Sequence, residues 1–475
     1  MCSLVSISDL SRAEILFIIN DALERKKGKK IDHFPGVLAS LFYESSTRTR
    51  ESTECAAHRL GMHVIGFSGI EGTSVQKGEP LADTLRMYRG FGANVIALRH
   101  PLEGAARYAA DILNIPVINC GDGSNLHPTQ TLLDLMTIIE KRGSIDGLCI
   151  ALVGDLKYGR TVHSLVAGLK MFSNITLWLV APDSLKMPVH FIEQFPGTIH
   201  HAHDIAEADV DILYMTRIQR ERFPQGPEGE FEFDKVSRIY QLTPAVLEGK
   251  RVGVMHPLPR YKHRIEISLA VDSLHNAWYI DQAENGVFLR EALLSSMMLN
   301  KISRRKNEFI PGAWKELSVK NHPKDAQETV YRIDNGTLID HIHAGKGKDV
   351  LSVLQIDATA KFVYASNISS KMHGRKDVVG FPDRELTERE LSKVALVEPD
   401  ATINIIRDKK VHKKGKVVLP SIIDGLVICQ NPRCITYRTH NEFAPQKFQV
   451  VSHEPLLLKC YYCEVPVERE KIKLE

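Results

Sequence analysis

Seven short apolar runs, alternating with stretches of helical spacing, constrain this chain more than any other feature. They fall at 37–42, 95–98, 115–119, 148–153, 175–181, 211–215 and 251–255. Such alternation is the signature of βα units on parallel sheets. Ahead of them, Ser11 and Glu14 form a capping-box pair, and Ile15, Leu16, Ile18, Ile19 and Leu23 recur at helical spacing. With Lys26, Lys27 and Gly28 closing the pattern, this predicts an amphipathic helix over 9–27.

At 475 residues the chain exceeds one ordinary core, and about 100–200 residues per domain implies three or four. The charged stretch 301–328, with Pro311-Gly312 and Pro323, reads as a connection. Beyond it, 350–356 and 361–366 read as strands and 387–397 as a helix, an α+β pattern. No apolar run approaches the ~20 residues that span a bilayer. The first residues carry no basic region followed by an apolar stretch, so the cytoplasm is the expected compartment and no membrane partner is expected. A net charge of +3 is too slight to imply nucleic acid as a partner. Cys2, Cys55, Cys120 and Cys149 are scattered, whereas Cys429, Cys434, Cys460 and Cys463 crowd the C-terminal end, which suggests metal rather than disulfides.

The most informative stretch is Phe42-Tyr43-Glu44-Ser45-Ser46-Thr47-Arg48-Thr49-Arg50, a strand running into hydroxyls and arginines that open a helix. Free amides and the dipole at a helix N-terminus attract anions, and Ser46, Thr47, Thr49 and Arg48 add donors and charge. The alternative is that the hydroxyls only cap the helix and the arginines are solvated. Arg99, His127-Pro128-Thr129-Gln130, Arg160, Thr216-Arg217-Ile218-Gln219 and His256-Pro257-Leu258-Pro259 also follow apolar runs. Ligands of open α/β sheets gather beyond the carboxyl ends of strands, so these residues can converge. Singly, His127 reads as a cap and each arginine as a surface charge.

Over roughly residues 5–304 this constellation resembles the carbamoyltransferases, and within them the aspartate carbamoyltransferases, through Ser-Thr-Arg-Thr-Arg at 46–50, His-Pro-Thr-Gln at 127–130 and His-Pro-Leu-Pro at 256–259. The resemblance implies transfer of the carbamoyl group from carbamoyl phosphate to L-aspartate, giving N-carbamoyl-L-aspartate and phosphate, in de novo pyrimidine biosynthesis. It further implies that Ser46, Thr47, Arg48 and Thr49 hold the phosphate, with Leu258 and Pro259 beside the same substrate. Thr49, Arg99 and His127 would contact the carbamoyl oxygen and act as the catalytic donors, and Gln130 would lie near the carbamoyl nitrogen. Arg160, Arg217 and Gln219 would bind the aspartate carboxylates, and Ser74 and Lys77 would reach in from a neighbouring subunit of a catalytic trimer. No catalytic cofactor is implied. Ornithine enzymes of the family carry cysteine where Pro257 stands, which favours aspartate. The segment 260–267 is longer than the family pattern.

Cys429-x4-Cys434 and Cys460-x2-Cys463 can place four thiolates around one structural Zn2+ per chain, although zinc modules of this shape also occur in nucleic-acid binders. Residues 329–475 resemble the regulatory chain of aspartate carbamoyltransferase through Leu338-Ile339-Asp340-His341-Ile342, Gly374-Arg375-Lys376-Asp377 and Pro399-Asp400-Ala401-Thr402-Ile403-Asn404. That resemblance implies CTP and ATP as effectors, with Asp340, His341 and either Lys414 or Lys416 at their site. The family lysine four positions after Lys376 is replaced by Gly380, which predicts an altered nucleotide response. The expected domains are thus 1–143 with a closing helix at 289–304, 144–288, a linker at 305–328, an effector-type α+β domain at 329–420 and a zinc-binding β domain at 421–475.

Overall fold

The computed structural model describes residues 3–30, 33–193, 195–218, 226, 229–230, 233–234, 239–260, 266–302, 310–318, 333–356, 359–370 and 374–474. These form two compact units, Met1–Lys306 with Pro432–Glu442, and Asn307–Asn431 with Phe443–Glu475.

The first unit opens with α1 (Arg12–Lys26), whose capping box forms as expected: Glu14 N donates to Ser11 Oγ at 3.2 Å, and Ser11 N to Glu14 Oε2 at 2.8 Å. There follow β1 (Val37–Phe42), α2 (Arg48–Arg59), β2 (His63–Ser68), α3 (Leu81–Gly90), β3 (Val95–His100), α4 (Ala105–Ile112), β4 (Val117–Asp122) and α5 (Pro128–Arg142). The four strands make a parallel sheet ordered β2-β1-β3-β4. A second parallel sheet, ordered β7-β6-β5-β8-β9, uses β5 (Cys149–Val153), β6 (Thr176–Val180), β7 (Thr198–Ala202), β8 (Ile212–Met215) and β9 (Gly253–Met255). Among the described residues its helices are α6 (Arg160–Leu169), α7 (Val189–Ile192) and α8 (Pro244–Leu247).

Each of the seven apolar runs overlaps a strand, although β3 runs on to His100 and β4 to Asp122, past the ends of their runs. The strands that sequence reading missed, β2 and β7, each hold one edge of a sheet; unlike the buried edges β4 and β9, their side chains are largely half-buried or exposed, so they never make an apolar run. The closing helix, α9 (Tyr279–Met298), starts well before the expected 289. Its first half has no apolar stripe because polar partners hold it: Asn285 Nδ2 donates to Thr137 Oγ1 at 3.0 Å and Gln282 Nε2 to Asp134 Oδ1 at 2.6 Å, both on α5. The helix packs against α1, α2 and α5, burying Leu289, Ala292 and Leu293.

The second unit begins with β10 (Ala313–Glu316), inside the expected linker; 305–309 and 319–328 of that linker lie outside the described residues. Then come β11 (Gly336–His343), α10 (Gly347–Val353), β12 (Val363–Ser370), β13 (Gly374–Pro382), α11 (Glu388–Val397), β14 (Thr402–Arg407) and β15 (Lys410–Val418). The strands form an antiparallel sheet ordered β10-β15-β14-β11-β13-β12. The strand expected at 350–356 is α10 instead. Its buried Val350 and Leu354 are four apart, a helical period that the short run disguised. A last antiparallel sheet runs β16 (Ile422–Asp424), β17 (Lys447–His453), β18 (Leu456–Cys460) and β19 (Pro466–Glu468) in order.

Candidate active site

Three helix N-termini meet in one cleft of about 650 Å³ in the first unit. Helices α2, α5 and α6 start there behind Thr47, His127 and Gly159, and none of the three has a side-chain cap. The capping alternative for Thr47 therefore fails: its hydroxyl leaves the α2 amides open to a ligand. Ser46, Thr47, Arg48, Thr49, Arg99, His127, Gln130, Arg160, Arg217, Leu258 and Pro259 all line this cleft. Residues from the ends of six strands, distant in sequence, are brought together as the strand-end rule predicts.

The cleft is strongly cationic. Arg99 is pushed down to about 10 by burial first and then by the nearby Arg160 charge, which leaves it charged at neutral pH. Arg48 at the head of α2 is lowered by burial as well. Glu44 lies between the two deeper arginines, 3.5 Å from Arg99 Nε and 3.5 Å from Arg160 Nη1. Arg160 Nη1 also donates to Gly123 O at 2.8 Å, which aims the head of α6 across the cleft. His127 is buried; burial first, then Arg160, Arg99 and Arg290, hold its pKa well below 6.5, so the ring is neutral. Its Nε2 stands 3.4 Å from Thr49 Oγ1 and its Nδ1 3.4 Å from Thr129 Oγ1, while its backbone N donates to Ser164 Oγ at 2.8 Å. An uncharged imidazole fixed on both sides can donate a hydrogen bond without adding a full charge.

Sequence reading missed Glu44, Tyr158, Gln282 and Arg290 as cleft residues. Arg290, on α9, is buried and pushed down to about 10 by that burial; it donates to Gly286 O at 3.0 Å and Thr129 Oγ1 at 3.3 Å. Its position in an ordinary helical stretch gave no signal. Glu44 sits inside the motif that was singled out, and its acidity amid arginines was the available clue. Ser74 and Lys77 form an exposed turn and are not among the described lining residues of their own chain's cleft. Gln219 and 261–265 of the long segment lie outside the described residues. Arg260, at its start, makes a two-pronged pair with Asp272 at 2.7 and 3.0 Å.

In the second unit, Asp340 Oδ1 accepts from Lys376 Nζ at 2.5 Å and from His341 N at 2.7 Å. Lys414 pairs across the sheet with Asn404, Asn404 with Leu338 and Leu338 with Gly380, so the four stand in one row. Lys416, the other candidate, donates to Asp400 at 3.0 Å. The space that a side chain at Gly380 would need is filled: an added Cβ would lie 2.4 Å from Ile333 Cδ1 and 3.2 Å from Leu338 Cδ1. The Sγ atoms of Cys429, Cys434, Cys460 and Cys463 are buried and all within 4.8 Å of one another. Cys429 and Cys463 are 3.7 Å apart, far from the ~2.05 Å of a disulfide and near the ~3.8 Å between thiolates on one tetrahedral ion with bonds of ~2.3 Å.

Comparison with known proteins covers nearly the whole chain. Residues 3–140 match the family described as aspartate/ornithine carbamoyltransferase, carbamoyl-P binding domain, and 146–297 its Asp/Orn binding domain. The catalytic subunit of aspartate carbamoyltransferase from Methanococcus maripaludis is 47% identical over 309 residues, 64% of this chain and 100% of that protein. The chain belongs to the aspartate carbamoyltransferase family. Its Thermococcus gammatolerans relative, also a catalytic subunit, is 50% identical over 61% of this carbamoyltransferase and 95% of its own length. Among solved structures, the catalytic subunit of M. jannaschii aspartate transcarbamoylase aligns with a TM-score of 0.58 at 43% identity, covering 63% of this chain and 99% of that one. The Trypanosoma cruzi enzyme in complex with N-(phosphonacetyl)-L-aspartic acid aligns at 0.56 and 37% identity, covering 62% and 95%. Residues 328–418 and 421–473 match the aspartate carbamoyltransferase regulatory chain, allosteric domain and metal binding domain respectively. This carbamoyltransferase therefore carries catalytic and regulatory regions in one polypeptide, with a four-cysteine cluster suited to a structural metal.

Proposed function

We propose that the cleft transfers the carbamoyl group of carbamoyl phosphate to L-aspartate in pyrimidine biosynthesis, and that the residues divide the work as follows. The phosphate lies on the α2 amides with Ser46, Thr47 and Arg48. Thr49, Arg99 and His127 donate to the carbamoyl oxygen, where negative charge builds as the amine attacks. Gln130 meets the carbamoyl nitrogen. Arg160, Arg217 and Gln219 hold the aspartate carboxylates, for which forked guanidinium donors are well matched. The amine nitrogen bonds to the carbamoyl carbon, the bond from that carbon to the phosphate oxygen breaks, and the departing phosphate takes the amine proton. No protein base is required, and alignment of two anionic substrates supplies much of the rate.

The observation that carries this reading is the meeting of three uncapped helix N-termini with Arg48, Arg99, Arg160 and Arg217 in one cleft. Such an array offsets the repulsion between a phosphate and two carboxylates. The exposed Ser74–Lys77 turn supports a catalytic trimer in which each chain completes a neighbour's site. The four buried thiols suit one zinc ion in a reducing cytoplasm. The row from Lys414 to Gly380 supports an effector region with an altered response to CTP and ATP. Rates of carbamoyl transfer against L-aspartate concentration, with and without CTP or ATP, test the scheme. Turnover is expected; its absence overturns the assignment, and a strong nucleotide shift overturns the altered response.

A further inference from the structure

Behind the cleft lies a buried carboxylate that the chemistry above does not use. Asp134, on α5, is fully enclosed. Its Oδ1 accepts from Gln130 Nε2 at 2.8 Å and Gln282 Nε2 at 2.6 Å, and its Oδ2 from the Tyr214 hydroxyl at 2.8 Å. One link fixes the direction of these bonds. The backbone N of His256 can only donate, and it donates to Gln282 Oε1 at 2.9 Å. Gln282 must then turn its NH2 toward Asp134, so Oδ1 is an acceptor. A glutamine beside an obligate acceptor must also present its NH2 to it.

We propose that Asp134 is a positioning residue that locks the Gln130 amide with Oε1 toward the cleft, so that the site accepts a hydrogen bond from a ligand NH2 at that point. The inference rests on the carbamoyl phosphate reading. It makes Asp134 a determinant of specificity: carbamoyl phosphate offers an NH2 there, and acetyl phosphate, with the same phosphate and carbonyl, offers a methyl group. Burial pushes Asp134 up to about 7, with Tyr214, Gln282, Gln130 and Arg290 facing it and opposing the rise. A proton on Oδ2 would be donated to the Tyr214 oxygen and would leave Oδ1 an acceptor. Preference for carbamoyl over acetyl phosphate is therefore expected to stay flat as pH crosses 7.

The test compares dissociation constants of carbamoyl phosphate, acetyl phosphate and inorganic phosphate for the full chain and for D134N and D134S. Asparagine can keep its oxygen toward both glutamines and its NH2 toward Tyr214, so D134N should retain the preference. Serine cannot reach both, and D134S should lose about tenfold of the carbamoyl-to-acetyl ratio, the size of one hydrogen bond to a buried group, with phosphate affinity unchanged. A D134S variant that keeps the ratio, or a D134N variant that loses it, overturns the proposal; D134N, being isosteric, keeps the test decisive if serine prevents folding. Failure of the unaltered chain to bind carbamoyl phosphate would instead overturn the functional reading.

Discussion

Arg290 is enclosed on α9 and lines the cleft; it donates to Gly286 O and Thr129 Oγ1, and the charge of Asp134 acts on it through space without a hydrogen bond between them. A buried cation held without a close counter-ion is costly unless an anion arrives to meet it. Arg290→Met keeps most of the volume and removes the charge. It should weaken carbamoyl phosphate binding about tenfold or more by calorimetry while leaving the thermal midpoint unchanged or raised; unaltered affinity would show that the charge serves only packing. His127 makes the complementary case. Burial and three arginines lower its pKa, so the folded chain stays unprotonated at pH values where the unfolded chain, with an ordinary histidine near 6.5, takes up a proton. His127 thus costs stability as pH falls through 6.5, and its ring resonances should not titrate between about pH 6 and 8; a midpoint near 6.5 by NMR would refute the electrostatic description. Of these two residues only His127 was legible, because a histidine after a strand and before a proline has a site context, whereas an arginine inside a helix looks like any other.

At the scale of elements, legibility followed burial. Strands β1, β3, β4 and β5, almost wholly buried, read directly as apolar runs, whereas the half-exposed edges β2 and β7 did not. Helix α10 was misread because two buried positions in seven residues do not define a period. Gly380 was recognised as a departure, but its consequence needed coordinates: Ile333 and Leu338 occupy the position a side chain would take. Restoring lysine alone should therefore fail. Gly380→Lys is expected to destabilise the domain by about 1–3 kcal/mol through overpacking, read as a lower thermal midpoint. Pairing it with Ile333→Ala should recover part of that loss. A single lysine variant with an unchanged midpoint would mean that Ile333 swings away freely and that the site is open.

For the whole molecule, the exposed turn Ser74–Lys77 sets the decisive expectation, since a chain whose lysine stands outside its own cleft cannot use it there. If each chain lends that turn to the next around a closed ring, sites are composites of two polypeptides. Lys77→Ala should then inactivate the neighbour's site and His127→Ala its own, with neither change altering the fold. Dissociating the two variants, mixing them equally and reassembling them should restore activity, because a site built from the body of a Lys77→Ala chain and the turn of a His127→Ala chain is intact. Random assembly makes such sites about a quarter of the total, since each of the two contributions has an even chance of coming from the required chain. Recovery on mixing, absent when either variant is reassembled alone, would establish that the catalytic unit is larger than one chain. Mixtures as inactive as their parents would place Lys77 in the service of its own cleft or of none.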